Sequence, residues 1–267
     1  MTMRAIILAA GMGRRLEAVC RHQPKCLLEF GGKTLLRRHI DVLQQYPVEE
    51  LVIATGYRAD LIEEEIAAVS AKLRVATQFN PDYEQGSIGT LWALREHLNK
   101  PGDLLLMDAD MLYDCRLLER LLASRYQNCL MLDRSSGADE EPVKLCVRDG
   151  VPVELGKQID DRSAYDCCGE LVGMVRLSES AAQQLLSVVE HYVDTGRGWE
   201  DYEEALRELV RLGSGFGYED CTGLPWIEID FPEDVDRARD EILPRLLSPD
   251  RYVSRDLGCE SVLNISN

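Results

Sequence analysis

The N-terminal stretch constrains this chain more than any other. Arg4-Ala-Ile-Ile-Leu8-Ala-Ala10 is an apolar run of strand length that feeds a turn, Gly11-Met12-Gly13, followed by Arg14-Arg15-Leu16 and, further on, Pro24-Lys25. Glycines in such a turn let bare backbone N–H groups approach an anion, and nearby basic side chains can close around it. The pattern predicts a strand whose end opens on a cradle for a triphosphate.

Spacing excludes two other phosphate loops. A dinucleotide fingerprint needs a third glycine where Leu16 stands and an acidic residue at the end of the second strand. That strand, Leu51–Thr55, runs instead into Gly56-Tyr57-Arg58. A Walker loop ending at Gly32-Lys33-Thr34 needs a glycine where Leu27 stands.

The 267 residues fit one large domain or two small ones, and 45% apolar content is ample for a core. A formal charge of −17 argues against nucleic acid or an anionic membrane surface as a partner. Residues 1–40 nevertheless hold eight Lys/Arg (Arg4, Arg14, Arg15, Arg21, Lys25, Lys33, Arg37, Arg38) against Glu17 and Glu29. A basic island in an acidic chain suits a small polyanion whose charge is shared with a metal; Arg37 and Arg38 read as solvated helix charges. The nine cysteines contain no C-x-x-C pair and give no zinc site. With no signal peptide and no apolar stretch near membrane-spanning length, they read as reduced, mostly buried thiols of a cytoplasmic protein without direct membrane insertion. A homodimer is compatible with the composition, which does not fix the oligomeric state.

Strand-length runs at Ala5–Ala9, Leu51–Thr55, Leu73–Gln78, Leu104–Met107 and Cys129–Leu132 alternate with helical spacing over Leu35–Gln45, Leu61–Lys72, Ile88–Leu98 and Leu117–Tyr126. The alternation predicts an α/β fold, a mainly parallel sheet covered by helices on both faces. Ligands of such sheets lie beyond the carboxyl ends of the strands. Asp149-Gly150 between Val143–Arg148 and Val151–Leu155 predicts an inserted β-hairpin. Further helices are predicted over Ser178–Val193, Glu200–Leu212 and Glu233–Leu246. Residues 248–267 lose periodicity and read as a tail or linker.

Two apolar runs end in paired acids. Asp103-Leu-Leu-Leu-Met-Asp108-Ala-Asp110 places two carboxylates at a strand end, and Trp226-Ile-Glu228-Ile-Asp230 places two on one face of an extended segment. Mg²⁺ commonly takes one or two carboxylates plus substrate phosphates, which Asp110 and Asp230 would supply. Gln78–Thr90, with Gln85, Gly89 and Thr90, is a glycine-bearing turn opening a helix, suited to a flat base. Gly198-Trp199-Glu200-Asp201-Tyr202-Glu203 interleaves aromatics with carboxylates. It serves equally as a helix start or as a seat for an ammonium group.

The motifs LAAGMGRRL, QPKCLLEFGGKTLL, DADM and WIEIDFPEDVDRA, with the hairpin VKLCVRDGVPVELGKQI, resemble the nucleotidyltransferase superfamily. Within it they look most like the phosphocholine and phosphonate cytidylyltransferases, over roughly Met3 to Leu247. The resemblance implies a Rossmann-like three-layer α/β/α sandwich with residues 1–247 as the nucleotidyltransferase domain. It also implies Mg²⁺-dependent transfer of CMP from CTP to a small phospho-alcohol or phosphonate of the 2-aminoethylphosphonate or phosphocholine type, with loss of pyrophosphate. It assigns Lys25, Arg15, Asp110 and Asp230 as catalytic, the two aspartates holding the metal. Leu8, Ala10, Gly11, Met12, Gly13, Arg14, Arg15, Lys25, Gln85, Gly89, Thr90 and Asp108 would bind the nucleotide. Lys144, Lys157, Glu200, Asp201, Tyr202 and Glu228 would bind the acceptor. The alternatives are a sugar-1-phosphate nucleotidyltransferase using UTP, dTTP or CTP, a molybdenum-cofactor guanylyltransferase, and a catalytically silent nucleotide sensor.

Overall fold

Ala5, Ile6 and Ile7 are all buried, so the first strand needs apolar cover on both faces. The computed structural model describes residues 3–20, 22–135, 142–159 and 161–246. In chain order its strands are β1 (Met3–Ala9), β2 (Glu29–Phe30), β3 (Lys33–Thr34), β4 (Val48–Thr55), β5 (Arg74–Phe79), β6 (Asp103–Asp108), β7 (Met111–Tyr113), β8 (Asn128–Asp133), β9 (Lys144–Arg148), β10 (Val151–Gly156), β11 (Cys167–Leu177), β12 (Phe216–Asp220) and β13 (Trp226–Glu228). The helices are α1 (Glu17–Cys20), α2 (Leu35–Leu43), α3 (Ala59–Ala68), α4 (Ser87–Ala93), α5 (Arg95–Leu98), α6 (Cys115–Ala123), α7 (Glu179–Asp194), α8 (Tyr202–Arg211) and α9 (Pro232–Arg237).

β1 lies between β6 and β4, parallel to both, and β5 extends the parallel half. Side chains alternate across it. Ile6 faces a cluster that includes Leu91 of α4, Leu185 of α7 and Leu206 of α8. Ala5 and Ile7 face Ile40 of α2, Ile62 of α3 and Leu118 of α6. The α/β/α sandwich expected from the alternation is therefore present.

Beyond β6 the sheet departs from the simple parallel pattern. β11 runs antiparallel to β6, β8 and β9, while β12 runs parallel to β8. The sequence pattern predicts neither β11 nor β12, because Gly169 and Gly173 interrupt the first and the second is short. The hairpin forms as expected, with Asp149 at φ 52° and Gly150 at φ 72°, the left-handed pair that an Asp-Gly turn adopts. The helix expected over Ile88–Leu98 breaks into α4 and α5. The one expected over Glu233–Leu246 is α-helical only to Arg237, then widens into a π turn over Ala238–Ile242 and a tighter turn over Leu243–Arg245.

Two expectations change. Cys146 and Cys168 stand directly opposite each other in β9 and β11 and form a disulfide, so these two are not reduced thiols. The basic island is also smaller than its residue count. Arg4 is buried and donates to the carbonyls of His97, Lys100 and Gly102, and Arg38 donates to the Phe30 carbonyl. Neither lines the cavity that holds Gly11, Gly13 and Lys25. Among the described residues no helix is long and apolar enough to cross a membrane. The tail, residues 248–267, lies outside the described residues.

Candidate active site

Beyond the carboxyl ends of β1 and β6 lies a cavity of about 290 Å³ lined by Leu8, Gly11, Gly13, Arg14, Arg15, Lys25, Asp110 and Asp230 among others. Gly13 sits at φ 59°, and a Cβ there would lie 2.8 Å from the Lys25 Cγ. Glycine thus serves twice: it takes the left-handed turn and it leaves room for the lysine stem to cross under the loop. Leu16, where a dinucleotide site would have glycine, is buried with Leu28, Phe30 and Ile229 and anchors the turn. The Arg15 guanidinium stands 4.9 Å over the Phe231 ring, beside Asp230. Arg14 is exposed and approaches Glu84 at 3.7 Å. Of the other loop residues, Ala10 accepts from the Tyr57 N–H through its carbonyl, and Met12 accepts a weak contact from Arg14 through its sulfur.

The two acidic strand ends are joined by pairing. β13 runs antiparallel to β7 with Glu228 opposite Met111, and the Ile229 N–H donates to the Asp110 carbonyl at 3.0 Å. Asp110, Glu228 and Asp230 each offer a carboxylate oxygen within 4.8 Å of the others. The Lys25 ammonium donates to Asp110 at 2.9 Å and to Asp230 at 2.5 Å. Burial opposes the charge on Lys25, but the two aspartates outweigh it and hold its pKa above the usual lysine range. Asp234 accepts from the backbone N–H groups of Asp230 and Phe231 and fixes the segment carrying Asp230 at the start of α9.

A second acidic group lies beside the first. The Tyr202 hydroxyl donates to Asp108 at 2.9 Å. Burial, then Glu203 and Asp110, push the Asp108 carboxyl well above its usual range. Burial, then Asp110 and Asp108, do the same to Glu228. Glu203 is pushed up to about 7, mainly by burial. Glu203 is not among the expected site residues, although it closes the aromatic–acidic run. Gly173 is a further addition: a Cβ there would collide with the Asp108 Oδ2, so β11 must be bare where this carboxylate rests against it. With β11 invisible in the sequence pattern, no signal points to that glycine.

The remaining expected residues divide. Lys157 pairs with Asp201 at 3.0 Å, both half exposed, at the edge of this acidic recess. Lys144 is buried on β9, opposite Gly156 and Glu170. Glu200 is drawn away from the recess into an ion pair with Arg197 at 2.6 Å. Thr90 is buried, its hydroxyl accepting from Asn80 at 3.0 Å, and the Gly89 N–H donates to the Gly198 carbonyl at 3.0 Å. These two groups are spent inside the protein and leave the exposed Gln85 as the accessible member of that trio. Gly86, at φ 112°, packs against the Trp199 backbone, and the Trp199 side chain is 67% exposed.

The donor set tests whether a divalent metal fits. Three carboxylates converge at a partly open strand end, with no histidine or thiol among them, which matches a hard ion that prefers oxygen. Burial and the neighbouring aspartates already disfavour the charged form of Glu228, and a second positive charge would relieve it. Asp110 and Asp230, with Glu228 beside them, are the residues that would hold it.

The chain belongs to the family of MobA-like NTP transferase domains, whose pattern matches residues 5–173. It is 27% identical over 246 residues to a CMP-5′-(3-aminopropyl)phosphonate synthase of Streptomyces rubellomurinus, covering 88% of this chain and 38% of that one. It is 23% identical over 256 residues to a CTP:phosphoglutamine cytidylyltransferase of Campylobacter jejuni, covering 88% of this chain and 98% of that one. Among solved structures, the inositol-1-phosphate CTP transferase from T. maritima superposes with a TM-score of 0.70 at 22% identity, covering 98% of both chains. That likeness carries the fold.

Proposed function

We propose that this protein is a Mg²⁺-dependent cytidylyltransferase that moves CMP from CTP to a small phosphate or phosphonate acceptor bearing an amine, and that residues 1–247 form its catalytic domain. The observation that carries the reading is the juxtaposition of Lys25 with Asp110 and Asp230 below the Gly11–Gly13 turn. Cytidylyl transfer in particular is supported by the names of the two relatives, one a synthase of a CMP-linked aminopropylphosphonate and the other a cytidylyltransferase of CTP and phosphoglutamine.

In the reaction an oxygen of the acceptor's phosphate or phosphonate attacks the α-phosphorus of CTP, and the bond to pyrophosphate breaks. No general base is needed, because a phosphate monoester is mostly ionised near neutral pH, its second pKa being about 6. The work is positioning and charge neutralisation. Arg15 and the amides of the glycine turn hold the leaving β- and γ-phosphates. Lys25 stands where the α-phosphate meets the aspartates. A Mg²⁺ ion, when bound by Asp110 and Asp230, supplies further positive charge to the triphosphate.

The acceptor's amine is assigned to the recess of Asp108, Glu203 and Glu228, with Lys157 at its edge for the phosphorus group. Partly buried carboxylates pushed toward neutrality gain most from a cation, whereas a neutral sugar would bring them no counter-charge. Four nucleoside triphosphates tested against phosphocholine, 2-aminoethylphosphonate, inositol 1-phosphate and glucose 1-phosphate, with pyrophosphate as readout, decide the matter. CTP with an amine-bearing acceptor is expected to be fastest. Faster turnover of glucose 1-phosphate would reject the amine recess and favour a sugar nucleotidyltransferase, and no pyrophosphate with any pair would reject the activity.

A further inference from the structure

Helix α2 turns Leu35, Leu36, His39, Ile40, Val42 and Leu43 inward, and His39 is the one ionisable residue on that face. It is fully buried, and its Nε2 lies 3.2 Å from the Ala109 carbonyl oxygen. A carbonyl only accepts, so Nε2 carries the ring proton and donates it. Burial lowers the imidazole pKa to about 4 against the smaller effect of that hydrogen bond, so the ring is neutral and has this one N–H. Its Nδ1 is buried with no hydrogen-bond partner among the described residues. A leucine would fill such a position without that cost; what the imidazole adds is the Nε2–H donor.

What Nε2 holds is the turn that carries the acids. β6 ends at Asp108 and β7 begins at Met111, leaving Ala109 and Asp110 as the two residues between them. The Asp110 carbonyl is tied to β13 through the Ile229 N–H, and the Ala109 carbonyl is tied to α2 through His39. The His39 ring also packs against Tyr113 at the far end of β7, the ring centres 5.3 Å apart. One side chain therefore touches both sides of the acidic turn. We propose that His39 is a positioning residue: its Nε2–H fixes the Ala109 peptide, and so aims the Asp108 and Asp110 carboxylates at the divalent ion and the substrate amine. This rests on the metal reading above.

The test is Mn²⁺ affinity, measured by calorimetry with and without CTP and no acceptor, for wild type, His39→Gln and His39→Leu, each checked for folding by thermal melting. Glutamine offers an N–H at similar reach, whereas leucine packs but cannot donate. The expected result is about tenfold or greater weakening of Mn²⁺ binding in His39→Leu, recovery to within about threefold in His39→Gln, and a raised Mg²⁺ requirement for turnover with kcat at saturating Mg²⁺ nearly kept. If the leucine variant does not fold, His39→Asn, too short to reach Ala109, takes its place with the same expectation. Equal Mn²⁺ affinity in all variants, or a glutamine variant no better than leucine, overturns the proposal while leaving the metal site intact. Absence of any Mn²⁺ binding by wild type that Asp230→Asn removes overturns the metal reading and this proposal with it.

Discussion

The Nζ of Lys25 lies 2.5 Å from the Oδ1 of Asp230, a residue 205 positions further along the chain. That contact ties Lys25, whose stem crosses under the glycine turn, to the segment between β13 and α9, and it places a cation against carboxylates that repel one another.

Replacing Lys25 by methionine is expected to lower turnover about a hundredfold, the ~3 kcal/mol that one well-placed cationic donor contributes to a phosphorus-transfer transition state. The same change leaves Asp110 and Asp230 without their counter-charge, so the melting temperature in Mg²⁺-free buffer should fall and Mg²⁺ should restore more of it than in wild type. Steady-state kinetics and a melting series in Mg²⁺ check both halves. An unchanged kcat would mean that the turn does not hold the triphosphate.

Asp110→Asn and Asp230→Asn should each abolish turnover and leave the fold intact, because both side chains are partly open to solvent and sit among like charges. Circular dichroism together with activity at saturating Mg²⁺ separates the outcomes. Near-normal rates in both variants would remove the metal assignment.

Gly173→Ala drives a methyl group into the Asp108 Oδ2 if the backbone stays where it is. The carboxylate or the strand must give way, at a cost of about 1–3 kcal/mol for overpacking. Urea unfolding should register the loss, and the acceptor KM should rise as Asp108 leaves Tyr202. Wild-type stability and KM in this variant would contradict the packing described.

Glu203 titrates in the folded protein at about 7, against 4.5 for a free glutamate, with burial as the main cause. The folded state therefore holds a proton that the unfolded chain has released, so this residue's contribution to stability falls as pH rises from about 4.5 to 7. Glu203→Gln should raise the melting temperature at pH 8 and change it little at pH 4. An amine-bearing acceptor should stabilise wild type more than the variant at pH 8. A uniform effect across pH would point to packing alone.

Much of this site was legible because its members end apolar runs. Asp108 and Asp110 close one, Glu228 and Asp230 another, and the glycine turn a third; strand ends are where ligands of such sheets lie. What stayed hidden depends on contacts between segments with no shared pattern. Gly173 matters only because β11 lies against β6, and β11 reads as a broken run. Cys146 and Cys168 face each other only once that same strand is in place. Thr90 and Gly89 match a motif in type, yet Asn80 and the Gly198 carbonyl take up their hydrogen bonds. His39 carries an ordinary helical spacing; the Ala109 carbonyl it meets comes from a segment 70 residues away.

The pairing of β7 with β13 has a consequence for how the protein is made. The family match ends at residue 173, but Glu228 and Asp230 arrive later and reach Asp110 by that short ladder. A chain emerging from the ribosome can form the glycine turn and the central strands early, yet it lacks half of its carboxylates until the segment after β12 has been synthesised and has folded back. A chain that ends before β13 therefore cannot assemble the three-carboxylate cluster, because Glu228 and Asp230 are what close it around Asp110.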